Sequence, residues 1–222
     1  MKHYLRQIMN VFISGAALLA AGCGGSDPKA ATEKNFEIAL NAHFKKFREC
    51  LTVGGRPDEG GFVKKFTAVQ VDRGGTQVDF FKGLVRLGLM ETAETTTETR
   101  NWGKVITQDY ISYRFTDKAN PFLRPAELDT GFFATGFKEL CFGTPEVIEV
   151  TNFTEPADAL GVKLSTVKYT YKYVDVAPWA NEPVFTSRFK WLPEKISATS
   201  LEGSEDLILT NSGWMHHKEY QE

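Results

Sequence analysis

The sequence lacks most of the patterns that announce chemistry. Its 222 residues hold three cysteines and four histidines, in no CxxC or HExxH spacing, so neither common zinc-binding pattern fits. There is no GxSxG nucleophile elbow. No Gly-Lys-Ser or Gly-Lys-Thr follows the glycine pairs Gly54-Gly55, Gly60-Gly61 and Gly74-Gly75, which read as turns and not as phosphate loops. There is no surplus of positive charge either. The 26 Lys and Arg against 28 Asp and Glu give a net charge of −2, which argues against nucleic acid as a partner. No apolar run reaches the roughly 20 residues of a membrane-spanning helix. With 42% apolar and 13% aromatic residues, the chain nevertheless has the composition of a globular protein.

What is present is unevenly placed. No charged residue occurs from Gln7 to Ser26, and Lys2 and Arg6 stand just before that stretch. The apolar run Val11–Ala21 has the length of a signal-peptide core, and Leu19-Ala20-Ala21-Gly22 supplies small residues ahead of Cys23. Residues 1–22 therefore read as a secretion signal.

The ending Leu19-Ala20-Ala21-Gly22-Cys23 resembles the lipobox of bacterial lipoproteins, with Ala20 where leucine is usual. The resemblance implies cleavage before Cys23, diacylation of its thiol and attachment to a membrane without spanning it, since two or three chains anchor stably. Gly24 and not Asp follows the cysteine, which by the same resemblance favours the outer membrane, facing the periplasm. Loss of residues 1–22 takes away Lys2 and Arg6 and moves the net charge from −2 to −4. Residues 23–32 read as a lipidated, flexible tether.

Cys50 and Cys141 are left as one candidate disulfide pair, with two buried free thiols as the competing reading. Thr32–Leu51 reads as an amphipathic helix capped by Thr32, with Phe36, Leu40, Phe44, Phe47 and Leu51 on one stripe. Residues around Phe62–Val71 read as a short helix or strand. Thr76–Leu87 reads as a second helix with Gly88 at its C-terminus, and Glu91–Thr99 with Lys104–Thr116 as a β-hairpin. Leu84–Met90, that hairpin and Tyr113–Lys118 together resemble the end of a winged-helix domain, which implies a winged-helix-like portion over 33–124.

Residues 125–222 read as a β-rich portion. A short helix near Phe137–Leu140 precedes strands Glu146–Thr154 and Gly161–Val176, the latter with a bulge near Ser165, and a closing hairpin follows Leu207. Long curved strands ending in Gly213-Trp214 resemble cystatin-like domains. The expected fold class is thus α+β, winged-helix-like and then antiparallel and cystatin-like. The elements Cys141-Phe142-Gly143 and Trp179-Ala180 resemble those of uncharacterised proteobacterial envelope lipoproteins.

For chemistry, His43 reads as a half-buried boundary residue and His216-His217 as exposed, with no metal site expected. Tyr169, Tyr171, Tyr173, Phe185 and Phe189 read as core, with the lining of a glycan or peptide groove as the competing reading. Trp179 and Trp191, placed in loops by Pro178, Pro183 and Pro193, are the candidate ligand or partner surface. No catalytic residue and no cofactor is expected. The reading is a non-catalytic envelope lipoprotein that binds a protein or cell-wall partner. The alternatives are an immunity or inhibitor lipoprotein neutralising a toxin or antibiotic-related agent, and a periplasmic hydrolase with a dispersed site.

Overall fold

The computed structural model describes residues 27–124, 136–159 and 161–220. The chain is α+β, with all named strand pairs antiparallel. Helix α1 (Glu33–Lys46) begins as expected: the Thr32 hydroxyl accepts the backbone N–H of Asn35, and Glu33 sits in the positive first turn. It stops a turn and a half short of Leu51. Glu49–Gly54 is strand β1, paired with β5 (Lys138–Phe153). Sheet pairing and the Cys50–Cys141 contact override the helical spacing of Phe44, Phe47 and Leu51. The same pairing draws Phe137–Leu140 out of the expected helix, since β5 already begins at Lys138.

Strand β5 carries the molecule's larger sheet. Its first part pairs with β1 and its second with β7 (Val162–Val174); β8 (Leu201–Thr210) and β9 (Gly213–His216) follow in order, and β6 (Ala157–Ala159) pairs with the start of β7. The bulge expected near Ser165 is absent. β7 keeps an unbroken register with β8 from Lys163 to Tyr171, while the irregularities lie across the sheet in β5, near Ile148 and Thr151. Ser165 simply continues the buried face of Val167, Tyr169 and Tyr173, and its hydroxyl donates to the Thr154 carbonyl at 2.7 Å. Helix α1 lies on this sheet. Phe36, Leu40 and Phe44 pack with Val147, Val150, Val167, Tyr169, Leu207 and Trp214.

The second region is built on a three-stranded sheet in the order β2 (Lys64–Thr67), β4 (Lys104–Phe115), β3 (Met90–Asn101). Between β2 and β3 run α2 (Ala68–Arg73), opened by a capping box of Thr67 and Gln70, and α3 (Thr76–Arg86). α3 ends in a Schellman turn: Leu89 N–H donates to Leu84 O and Gly88 N–H to Val85 O, with Gly88 at φ 71°. The short helix α4 (Pro183–Thr186) packs against α3, and α5 (Leu192–Ser197) packs against α4 and β7. Gly83 lets α4 approach, because a Cβ there would lie 2.3 Å from Val184 Cγ2.

A winged-helix portion is not supported. That fold needs α1 bundled with two further helices, whereas α1 packs on β5 and β9, and six-residue α2 buries no side chain. The border drawn at residue 124 falls beside 125–135, outside the described residues. One core nevertheless joins Leu51, Phe66, Phe81, Leu84 and Tyr113 to Leu140, Phe142, Trp179, Phe185 and Leu192. Tyr171 touches both cores.

Candidate functional site

Of the residues singled out in the sequence, Cys23 lies outside the described residues. Cys50 and Cys141 face one another across β1 and β5 and are joined as a disulfide, with S–S 2.00 Å. The bond ties the β1 edge to the sheet that carries α1.

The tryptophan pair divides. Trp179 is 5% exposed and belongs to the core, its ring 4.4 Å from that of Phe185 and 6.0 Å from that of Phe122. Proline flanks put it on an irregular segment, but that segment folds inward over the core. Its indole N–H is buried without a hydrogen-bond acceptor. Trp191 is 44% exposed and keeps its surface position. The Lys195 ammonium lies 5.4 Å from the Trp191 ring centre and 5.7 Å from that of Tyr173. Glu49 accepts from both Lys195 and the Tyr173 hydroxyl.

The histidines depart most from expectation. His216 is 1% exposed and His43 is 6% exposed, and their rings stack at 3.6 Å and 6°. Phe47 covers the other face of His43 at 4.7 Å, and His217 continues the pile at 4.7 Å from His216. The cause is local geometry. Alternation along β9 turns both Trp214 and His216 toward α1, where Phe36 and His43 meet them. His43 is expected at the boundary of the stripe, yet it stands at helical spacing from Phe36, Leu40 and Phe47, a signal of burial that the sequence does carry. His43 Nδ1 is 2.8 Å from Glu219 Oε1, and Lys46 holds the other carboxylate oxygen at 3.0 Å. Burial pushes the His43 pKa down, outweighing the Glu219 contact that raises it. Burial, reinforced by His43, His217 and Lys218, pushes His216 down to about 3. Burial raises the Glu219 pKa, but Lys46 and His43 outweigh it, so the carboxyl sits below its ordinary value.

Glu205, His216 and His217 bring three potential ligand atoms within 4.8 Å of one another. Their hydrogen bonding serves packing better than ligation. His216 Nδ1 accepts Lys218 N–H at 3.2 Å, which leaves the ring proton on Nε2; that atom lies 3.2 Å from Glu205 Oε2 but forms no hydrogen bond. His217 Nδ1 lies 3.1 Å from the Asp206 carbonyl. Rings piled face to face also cannot both aim in-plane lone pairs at one ion.

Ser-x-x-Lys spacings occur at Ser26–Lys29, Ser165–Lys168 and Ser187–Lys190. None lies on a described helix. Ser26 is outside the described residues, Ser165 and Lys168 sit on opposite faces of β7, and Ser187 and Lys190 are exposed beyond α4.

The other unforeseen feature is how far the expected β3–β4 hairpin projects. Only its base is held, by β2 from Tyr110 to Tyr113, and every residue from Glu98 to Asp109 is exposed. Beyond the Thr67–Tyr110 pair the arm runs six further residue pairs, about 20 Å. At its tip Trp102 is 98% exposed and has φ 49°, followed by Gly103 at φ 79°. Two-residue hairpin turns of this kind favour Asn or Gly first; a bulky residue there costs about 1 kcal/mol. The signal was legible as Asn101-Trp102-Gly103-Lys104, an indole where a turn residue belongs.

Two clefts of similar size complete the surface. One, about 630 Å³, lies between α3 and α4 and includes Thr76, Arg86 and Arg188; the other, about 640 Å³, lies beside α1 and includes Asn41, Arg48 and Glu146. No described helix is long and apolar enough to cross a membrane. Comparison with protein-family models, curated proteins and solved structures finds no match to this chain.

Proposed function

We propose that the chain is a lipid-anchored protein of the bacterial cell envelope, held at the outer membrane facing the periplasm, with a binding and not a catalytic role. The order of residues 1–23, ending in Cys23, carries this reading. The packing around Asp27 sharpens it. Asn35 Nδ2 donates to the carbonyls of Asp27 and Ala30 at 2.8 and 2.9 Å, and Trp214 Nε1 donates to Ala30 O at 3.1 Å. Asp27–Ala31 is therefore seated on the α1–β9 face instead of hanging free. Cys23 stands four residues before Asp27, about 14 Å at full extension. A lipid on Cys23 would keep the seated Asp27 within about 14 Å of the bilayer. The Cys50–Cys141 bond suits an oxidising compartment, and α1 lying across an antiparallel sheet supports the cystatin-like likeness.

The hydrolase reading gains the His43–Glu219 contact, which resembles a carboxylate-oriented base. Both faces of that ring are covered by Phe47 and His216, so the non-catalytic reading is preferred. Metabolic labelling with radioactive palmitate tests the anchor. Label is expected on the wild-type chain and absent from Cys23→Ser, with wild type released from washed envelopes only by detergent. Release of wild type by buffer alone would overturn it.

A further inference from the structure

We infer that the tip of the β3–β4 hairpin is a membrane-contacting element that enters the headgroup region of an anionic bilayer. The argument rests on the geometry of the tip and not on the Cys23 anchor.

Trp102 crowns the arm, and the first residues below it are arranged alike on both faces. In the hairpin register Val105 lies opposite Arg100 and shares its face, while Ile106 and Lys104 share the other face with Thr99 and Asn101. Val105 and Ile106 are 54% and 47% exposed. Each face of the tip thus offers one β-branched apolar side chain and one cation, with the indole at the end. A pocket in a folded partner would be met by one face. A tip apolar on all sides fits insertion along its own axis, into a medium that surrounds it.

Charge complementarity names that medium. Arg100 and Lys104 form no ion pair among the described residues, and the nearest acids, Glu98 and Asp109, lie farther down the arm. From Gly103 to the Thr99–Ile106 pair the tip spans about 10 Å, the depth to which interfacial elements enter the headgroup and acyl boundary. Tryptophan is the side chain favoured at that depth, and long basic side chains reach back from it to lipid phosphates. The conformation of the turn agrees. Trp102 occupies a left-handed backbone position that Asn or Gly would fill without strain, and it does so with no intramolecular contact to explain its size.

The test adds the full chain to preformed vesicles of phosphatidylcholine alone, or with about a third phosphatidylglycerol to give a negative surface potential. Trp102 emission is isolated as the difference between wild type and Trp102→Phe. With anionic vesicles that difference signal is expected to shift to shorter wavelength, to be quenched by lipids brominated high on the acyl chain, and to be shielded from aqueous iodide. Raising the salt concentration should reverse the effect. In Arg100→Gln/Lys104→Gln the lipid concentration at half-effect should rise about 30-fold, because each basic residue near such a surface contributes a factor of about 5. A Trp102 signal that stays at long wavelength and open to iodide on anionic vesicles overturns the inference. So does a signal that changes only when envelope proteins are added, which would assign the tip to a protein partner. The anchor is read separately, by flotation of the Trp102→Phe chain with neutral vesicles. Exposed tip residues support no core packing, so these variants keep the fold.

Discussion

The histidine pile under α1 and the tip of the β3–β4 hairpin are opposite departures from the usual placement of side chains. One buries polar rings, and the other leaves an indole, a valine and an isoleucine in water. Both depart from the rule that polar groups sit outside and large apolar ones inside, and each exception is explained differently. The buried rings are held by stacking on one another and by two contacts, Glu219 on His43 and the Lys218 amide on His216, while His216 Nε2 makes no hydrogen bond. The exposed indole has none. A polar ring stacked and packed within the body is part of the architecture, whereas an exposed apolar group with no contact points outward to something else. The contrast predicts that loss of the histidines is felt in stability and that loss of the tip side chains is not.

The sharpest way to test that division is to damage the body under α1. Phe36 is fully buried, edge-on to Phe153 and Trp214, so Phe36→Ala should lower unfolding free energy by about 3–5 kcal/mol in urea titrations. Acid should have a similar effect on the histidine pile. His216 is neutral in the fold down to about 3 and takes a proton near its ordinary 6.5 when unfolded. The unfolded state then binds more protons between those values, so its contribution is fully present above about pH 6.5 and lost as pH falls toward 3, on the order of 3–5 kcal/mol. The depressed pKa of Glu219 adds loss of the same sign as pH falls through the carboxylate range. His216→Phe should flatten this slope in denaturation curves taken at several pH values; an unchanged slope would remove the histidines from the account.

Reduction of Cys50–Cys141 releases a link between residues 91 apart and should cost about 3–5 kcal/mol, measured as the difference between oxidised and reduced protein. Thr67→Ala breaks the capping box of α2 and should cost about 1 kcal/mol, a loss confined to the second region. The smallest effect belongs to the hairpin tip. Trp102→Asn should leave stability unchanged or raise it by up to about 1 kcal/mol, because the left-handed position suits Asn and no packing is lost. A large destabilisation there would mean that the indole has a structural duty and would collapse the contrast.

Much of the fold was legible from spacing. The Thr32 cap, the stripe of α1, the Gly88 stop of α3, the hairpin and the alternation of β7 are all local patterns, and they formed as local physics requires. The errors share a cause. Glu49–Leu51 and Phe137–Leu140 read as helix because their spacing allows it, yet each is taken up by pairing with a strand about 90 residues away. His216 and His217 read as exposed because they stand near the chain's end, and burial of His216 depends on α1 lying over β9. Of the candidate surface, Trp191 stayed outside and Trp179 went in, since flanking prolines announce an irregular segment but not the direction it folds.

By itself the sequence determined the local elements, their caps and turns, and the acidic balance. These depend on neighbours within a few positions, where backbone sterics, hydrogen-bond spacing and side-chain period act directly. The tertiary structure alone decided that Cys50 meets Cys141 and that His43 stacks on His216. It also decided that Asp27 is seated on the body and that one hairpin projects with its tryptophan bare. Those outcomes depend on which distant surfaces exclude water from one another, and that follows from the packing of the whole chain.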